Sequence, residues 1–163
     1  MSEIQRILDQ FRKAYNGDAW HGDPVLKVLQ GITAKQAFMR PIPEAHNIWE
    51  ILLHITAWEG EVLRRLQTGI LQMPEEGDWC SINDSSDFAW QVALERFQMI
   101  HLDLDDAIGR LTEEHLDEIL GTSRERELGS GVSVYTLLHG IIQHSLYHAG
   151  QIALLKKSFY ENE

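Results

Sequence analysis

Apolar residues recur at intervals of three and four along four long stretches of the chain. No stretch of similar length alternates with the period of two expected of a half-buried strand. The first stretch begins at about Ser2, a good helix N-cap. It runs through Ile4, Ile7, Leu8, Phe11 and Tyr15 and stops at Asn16-Gly17. The second spans about Ala45 to Thr68 and ends at Gly69. Ile48, Ile51, Leu52, Ile55, Trp58, Val62, Leu63 and Leu66 lie on one side of it, and Glu50, Glu61, Arg64 and Arg65 on the other. The third is announced by Ser85-Ser86-Asp87 and runs to about Leu111, with Ala93, Phe97, Ile100, Leu104, Ile108 and Leu111 on one face. The fourth starts near Ser133, carries Leu137, Leu138, Ile141, Ile142, Ile152, Leu154 and Leu155, and closes on Lys156-Lys157, where the helix dipole favours cations. Four amphipathic helices of similar length bury their stripes most economically against one another. The predicted fold is therefore all-α, a four-helix bundle with long connections between helices.

The connections are punctuated rather than patterned. Prolines 24, 41 and 43 and glycines 22 and 31 set off two short turns, Pro24 to Leu29 and Thr33 to Phe38, which read as a connector. Pro24 suits the first position of a short helix, with Asp23 before it as cap. Ile70 to Asp84 has no period and reads as a crossing loop. The run from Thr112 to Leu116 is another capped turn, and Thr122 to Gly131 a polar surface loop.

Length and charge narrow the function classes. At roughly 150 residues per domain, the 163 residues form one domain, 1–163. A domain of this size buries roughly 68 to 70% of its unfolded surface, so it needs no structural metal, and any metal it holds is functional. Fourteen Lys and Arg against 25 Asp and Glu give a net charge of −11, which repels a phosphate backbone; nucleic acid is excluded as a partner. No apolar run approaches about 18 residues and the first turn is amphipathic, so neither a membrane span nor export is expected. The lone Cys80 makes no internal disulfide, and a cytoplasmic location is expected.

The candidate chemistry sits in the last helix. Stepping by three and four from Leu137 gives Ile141, His144, His148 and Ile152, which puts both imidazoles on the buried stripe. Four residues rise roughly 6 Å along a helix, close enough for two ring nitrogens to reach one ion from one face. Such a pair is also what two satisfied core histidines look like, but buried rings need partners, and an unsatisfied buried polar group costs roughly 1 to 3 kcal/mol. His54, beside Ile51, Ile55 and Trp58 on the second helix, offers a third nitrogen, and three protein ligands leave a coordination position open, as in a catalytic site. His139 lies about 140° around the helix from His144 and looks away. His21, His101 and His115 take polar or loop positions, and His46 falls at a pocket mouth.

The segments His46-Asn-Ile-Trp-Glu-Ile-Leu-Leu-His54-Ile-Thr-Ala-Trp58-Glu59 and Leu138-His-Gly-Ile-Ile-Gln-His144-Ser-Leu-Tyr-His148-Ala-Gly-Gln151-Ile, with Ala19-Trp20-His21-Gly22 upstream, resemble the DinB/YfiT-like family of metalloenzymes over almost the whole chain. The resemblance implies a four-helix bundle, often a homodimer. It also implies a divalent ion, nickel or zinc, held by His54, His144 and His148. Some relatives are thiol transferases that use a low-molecular-weight thiol, one branch isomerises maleylpyruvate with mycothiol, and others are described only as metal-dependent hydrolases. The implied chemistry is activation of water or a thiol by a Lewis-acidic ion, acting on a small-molecule substrate. The competing reading is a non-catalytic, metal-containing bundle that binds a protein partner through its acidic surface and exposed tryptophans.

Other residues carry a chemical and a plain reading side by side. Gln151, one turn beyond His148, either orients an imidazole or caps the bundle end. Glu50 and Glu59 read as a solvated helix face. Trp20, Trp49, Trp58, Trp79 and Trp90 read as core or dimer surface rather than substrate wall. Tyr147 either donates a proton or packs, and Cys80, without a basic neighbour, reads as incidental.

Overall fold

A computed structural model describes residues 1–121, 125 and 128–159. Four long helices form a closed ring, α1 (Glu3–Asn16) against α5 (Asp87–Gly109), α5 against α4 (Ile48–Thr68), α4 against α6 (Val134–Lys157), and α6 back against α1. The fold is the expected all-α bundle. Each long helix begins where a side chain accepts the orphan N–H groups of its first turn. Ser2 and Asn47 do so in reciprocal capping boxes with Gln5 and Glu50, and Ser86 and Ser133 cap alone. The Asn47 cap moves the start of α4 from the expected Ala45 to Ile48. Its end needs Gly69, whose φ of 67° is left-handed and lets the cap N–H reach the Arg65 carbonyl.

The stretch expected to be a mere connector is part of the core. α2 (Val25–Leu29) and α3 (Ala34–Phe38) bury Val25, Val28, Leu29, Ala34 and Ala37 against α4 and α6. Pro24 is the N-cap of α2 rather than its first residue, and Asp23 pairs with Lys27 instead of capping. A 3₁₀ turn, Glu113–Asp117, stands where the capped turn was expected. A two-residue antiparallel pairing of β1 (Ile119–Leu120) with β2 (Val132–Ser133) leads into α6, too short to leave a period in the sequence. The surface loop expected over 122–131 falls in part on residues outside those described.

The core divides in two. One half gathers Ile48, Leu52, Ile55, Phe97 and Ile152 around α2 and α3, and the other gathers Ile7, Phe11, Val62, Leu104 and Leu138 around α1. Between them lies a buried polar layer. Glu59 accepts from His101 Nδ1 at 3.1 Å and from Ser145 Oγ at 3.2 Å, and His101 is stacked on Phe11 and Tyr15. Glu59 is 1% exposed and His101 3%, which corrects the reading of Glu59 as solvated and of His101 as a polar-face residue. Their polarity misleads because each satisfies the other.

Glu61 and Arg65 are likewise buried, not on an outer face. The crossing loop folds back over that side of α4. Gln72 donates its N–H to Glu61, accepts from Arg65 Nη2 on its carbonyl, and so removes both charges from water, while Arg65 Nε donates to Glu61 at 2.8 Å. An i, i+4 pair of opposite sign tolerates burial that neither member would tolerate alone.

Candidate metal centre

His54 is placed by the same apolar spacing that buries Ile51 and Ile55, and His144 and His148 by one face of α6. Where α4 and α6 pack, the three rings meet. One nitrogen from each lies within 4.8 Å of the other two, and this is the group among the described residues with the donor set for a metal ion. His54 Nε2 and His144 Nε2 stand 2.9 Å apart, and the ring centroids of His148 lie 4.7 Å from His54 and 4.5 Å from His144.

The outer nitrogens decide what the inner ones present. His54 Nδ1 lies 2.7 Å from the Asp78 carbonyl oxygen, an acceptor only, so this nitrogen carries the proton and Nε2 carries the lone pair. His148 Nδ1 likewise lies 2.7 Å from Gln151 Oε1, an acceptor, so that its proton sits on Nδ1. His144 Nδ1 is buried with no hydrogen-bond partner. Three neutral rings offer more inward lone pairs than protons to fill them, an arrangement that a cation satisfies and that ordinary core histidines avoid.

Protonation is also disfavoured. Burial lowers the pKa of all three. For His144 burial and the neighbouring His148 and His54 push it to about 3, while Asp78 and Gln151 partly offset the fall at His54 and His148. A ring whose folded pKa lies below its unfolded value of 6.5 binds fewer protons folded than unfolded. Its contribution to stability is therefore complete above 6.5 and is lost as pH falls from there toward about 3. Urea midpoints of metal-free protein are expected to drop between about pH 7.5 and about pH 5, with a shallower drop in His144→Ala.

The crossing loop completes the site. Asp78 accepts from Trp58 Nε1 at 2.8 Å while its carbonyl holds His54, and Trp79 stacks on His54 at 4.0 Å and on His46 at 3.5 Å. Both loop residues lie in a stretch without periodicity, and the tryptophan amid acids is the one signal that marks it. Trp49 and Trp90 are core as expected, Trp58 and Trp79 pack against the core and also wall the site, and Trp20 is fully exposed. His46 does sit at a mouth, bonded to Glu50. Glu50 itself closes the α4 capping box by accepting from the Asn47 N–H at 2.9 Å, and pairs with Arg40 rather than lying free in solvent. Tyr147 is exposed and meets His148 through its ring edge. His139 stays outside the cluster, as does Cys80, whose thiol burial and Asp78 push up in pKa.

A cavity of about 400 Å³ opens from His54 and His144 along the α4–α6 groove, past Trp58, Val62 and Ile141 to Arg65 and Thr136. A second, of about 370 Å³, lies beyond His148 and Trp79. A further one, of about 880 Å³, is a wide depression between the α1–α2 turn and α5, away from the imidazoles. No helix is long and apolar enough to cross a membrane among the described residues. A family model described as the DinB superfamily matches residues 19–152. No curated protein and no solved structure gives a significant match.

Proposed function

The chain belongs to the DinB superfamily, and from that premise we propose that it is a metal-dependent enzyme in which His54, His144 and His148 hold one divalent ion, nickel or zinc, and activate water or a thiol. The observation that carries this reading is the inward convergence of three imidazoles whose outer nitrogens are tied down or bare. Bound there, the ion supplies Lewis acidity that lowers the pKa of a water or low-molecular-weight thiol, giving a nucleophile near neutral pH. The Asp78 carbonyl and Gln151 fix the orientation of His54 and His148, Trp79 covers the face of His54, and the groove between α4 and α6 admits a small-molecule substrate. Two observations favour catalysis over a purely structural ion: a cavity reaches the imidazoles, and no cysteine or carboxylate joins them as a fourth ligand among the described residues.

The test is an activity screen of zinc- and nickel-loaded protein against electrophiles with glutathione, bacillithiol or mycothiol, beside a panel of ester and amide hydrolase substrates. Turnover that disappears with chelator and returns with metal is expected. Silence in every arm would move the chain to the interaction-module reading. Gln151→Ala is expected to weaken metal binding by about 10- to 100-fold, measured by competition with a chromophoric chelator, because His148 loses the acceptor that fixes its tautomer.

A further inference from the structure

The far end of the 400 Å³ cavity is built for a negative charge. Arg65 is 1% exposed, and its donors are unevenly used. Nε donates to Glu61 and Nη2 to the Gln72 carbonyl, while Nη1 has no acceptor among the described residues. Glu61 is also shared with Arg64 at 2.6 and 2.8 Å, so two guanidinium groups lean on one carboxylate and the group keeps a net charge of about +1. Arg65 lines the cavity beside Gly129, where a Cβ would lie 3.6 Å from Nη1. Val132 of β2 and Thr136 in the first turn of α6 border the same end, and the N-terminus of that 24-residue helix adds positive potential to the one the guanidinium supplies. Asp78, the cavity's carboxylate, sits at the opposite end and is engaged by Trp58 and His54.

Trp58 links the two ends. Its ring lies 5.7 Å from the Arg65 guanidinium carbon and 6.4 Å from the His144 ring, and Val62, Leu137 and Ile141 make the walls apolar. We propose that this cavity is a substrate site for small organic carboxylates, the carboxylate on Arg65 Nη1 and Thr136, the apolar body along Trp58, and the reacting carbon toward His54 and His144. The two Nη1 N–H groups and the Thr136 hydroxyl, which also shares a 3.1 Å hydrogen bond with Ser133 Oγ, match one planar carboxylate; a phosphate presents more oxygens than these donors reach. The reacting-end assignment rests on the metal-centre reading above, but the carboxylate subsite does not.

The test titrates the full-length protein with 4-phenylbutyrate and with its neutral amide by ligand-observed NMR, metal-free and zinc-loaded. At least tenfold tighter binding of the carboxylate is expected in both forms. Arg65→Lys is expected to cut that preference below threefold. A variant that folds independently of Arg65 chemistry locates the ligand: a Cβ at Gly140, on the cavity wall, meets nothing within 4 Å, and Gly140→Leu is expected to retain helicity and abolish binding. Equal affinity for acid and amide would overturn the proposal, as would binding that survives Gly140→Leu. Carboxylate binding seen only with zinc, and unchanged in Arg65→Lys, would also overturn it and place the anion on the ion instead. Failure of metal loading with the preference intact in the metal-free protein would overturn the metal reading alone.

Discussion

Replacing His144 by alanine is expected to lower affinity for zinc or nickel by at least about 100-fold and to leave the metal-free protein no less stable than the parent. The first effect follows from removing one of three convergent donors, since loss of even an outer-sphere orienting group costs 10- to 100-fold. The second follows from Nδ1 of the same ring, which is buried without a partner. Such a group costs roughly 1 to 3 kcal/mol, and its removal offsets the packing lost. A core histidine that merely held the bundle together would behave in the opposite way, with stability falling and metal content unchanged. Metal content of tag-free protein and urea denaturation, read side by side, separate the two.

The largest stability effect is expected from Glu61→Ala, a loss of about 3 to 5 kcal/mol, because Arg65 is left buried without its carboxylate. Against a typical total of about 5 to 15 kcal/mol, that is a large share of the stability of the whole domain. Removing both partners, in Glu61→Ala with Arg65→Met, is expected to recover much of the loss, since an apolar pair replaces an unpaired charge. Urea midpoints of the two variants give the comparison. A double variant as unstable as the single one would mean that Arg65 acts through packing, not charge. The acid side has a known sign. Arg64 and Arg65 hold the Glu61 carboxyl below its ordinary pKa against the opposing effect of burial, so its contribution is present above that ordinary value and is lost as pH falls through the lowered one.

The helices and the three imidazoles were legible because each depends on local periodicity. Ser2, Ser86 and Ser133 mark starts that the structure keeps within a residue or two, and His144 and His148 fall on a stripe defined by Leu137, Ile141 and Ile152. His54 followed from the apolar residues around it. What was not legible depends on contacts distant in sequence. Asp78 and Trp79 reach the site from a loop with no period, and nothing near them in the chain announces that one will hold His54 and the other cover it. Polarity misled at Glu59, Glu61, Arg65 and His101. Each looks like a surface residue by type, and each is buried because its partner lies across the bundle or under the crossing loop. The connector was misjudged for a related reason. Val25, Val28 and Ala37 are too few to show a helical period, yet α4 and α6 leave an apolar gap that they fill.

The most direct measurement of the metal centre is X-ray absorption at the zinc edge of stoichiometrically loaded, tag-free protein. The expected spectrum has three imidazole nitrogens at about 2.0–2.1 Å with lighter oxygen or nitrogen donors completing the shell, and the imidazole scattering falls when His54 is replaced by alanine. A sulfur shell at about 2.3 Å, or an imidazole signal untouched by that replacement, would contradict a centre built from His54, His144 and His148.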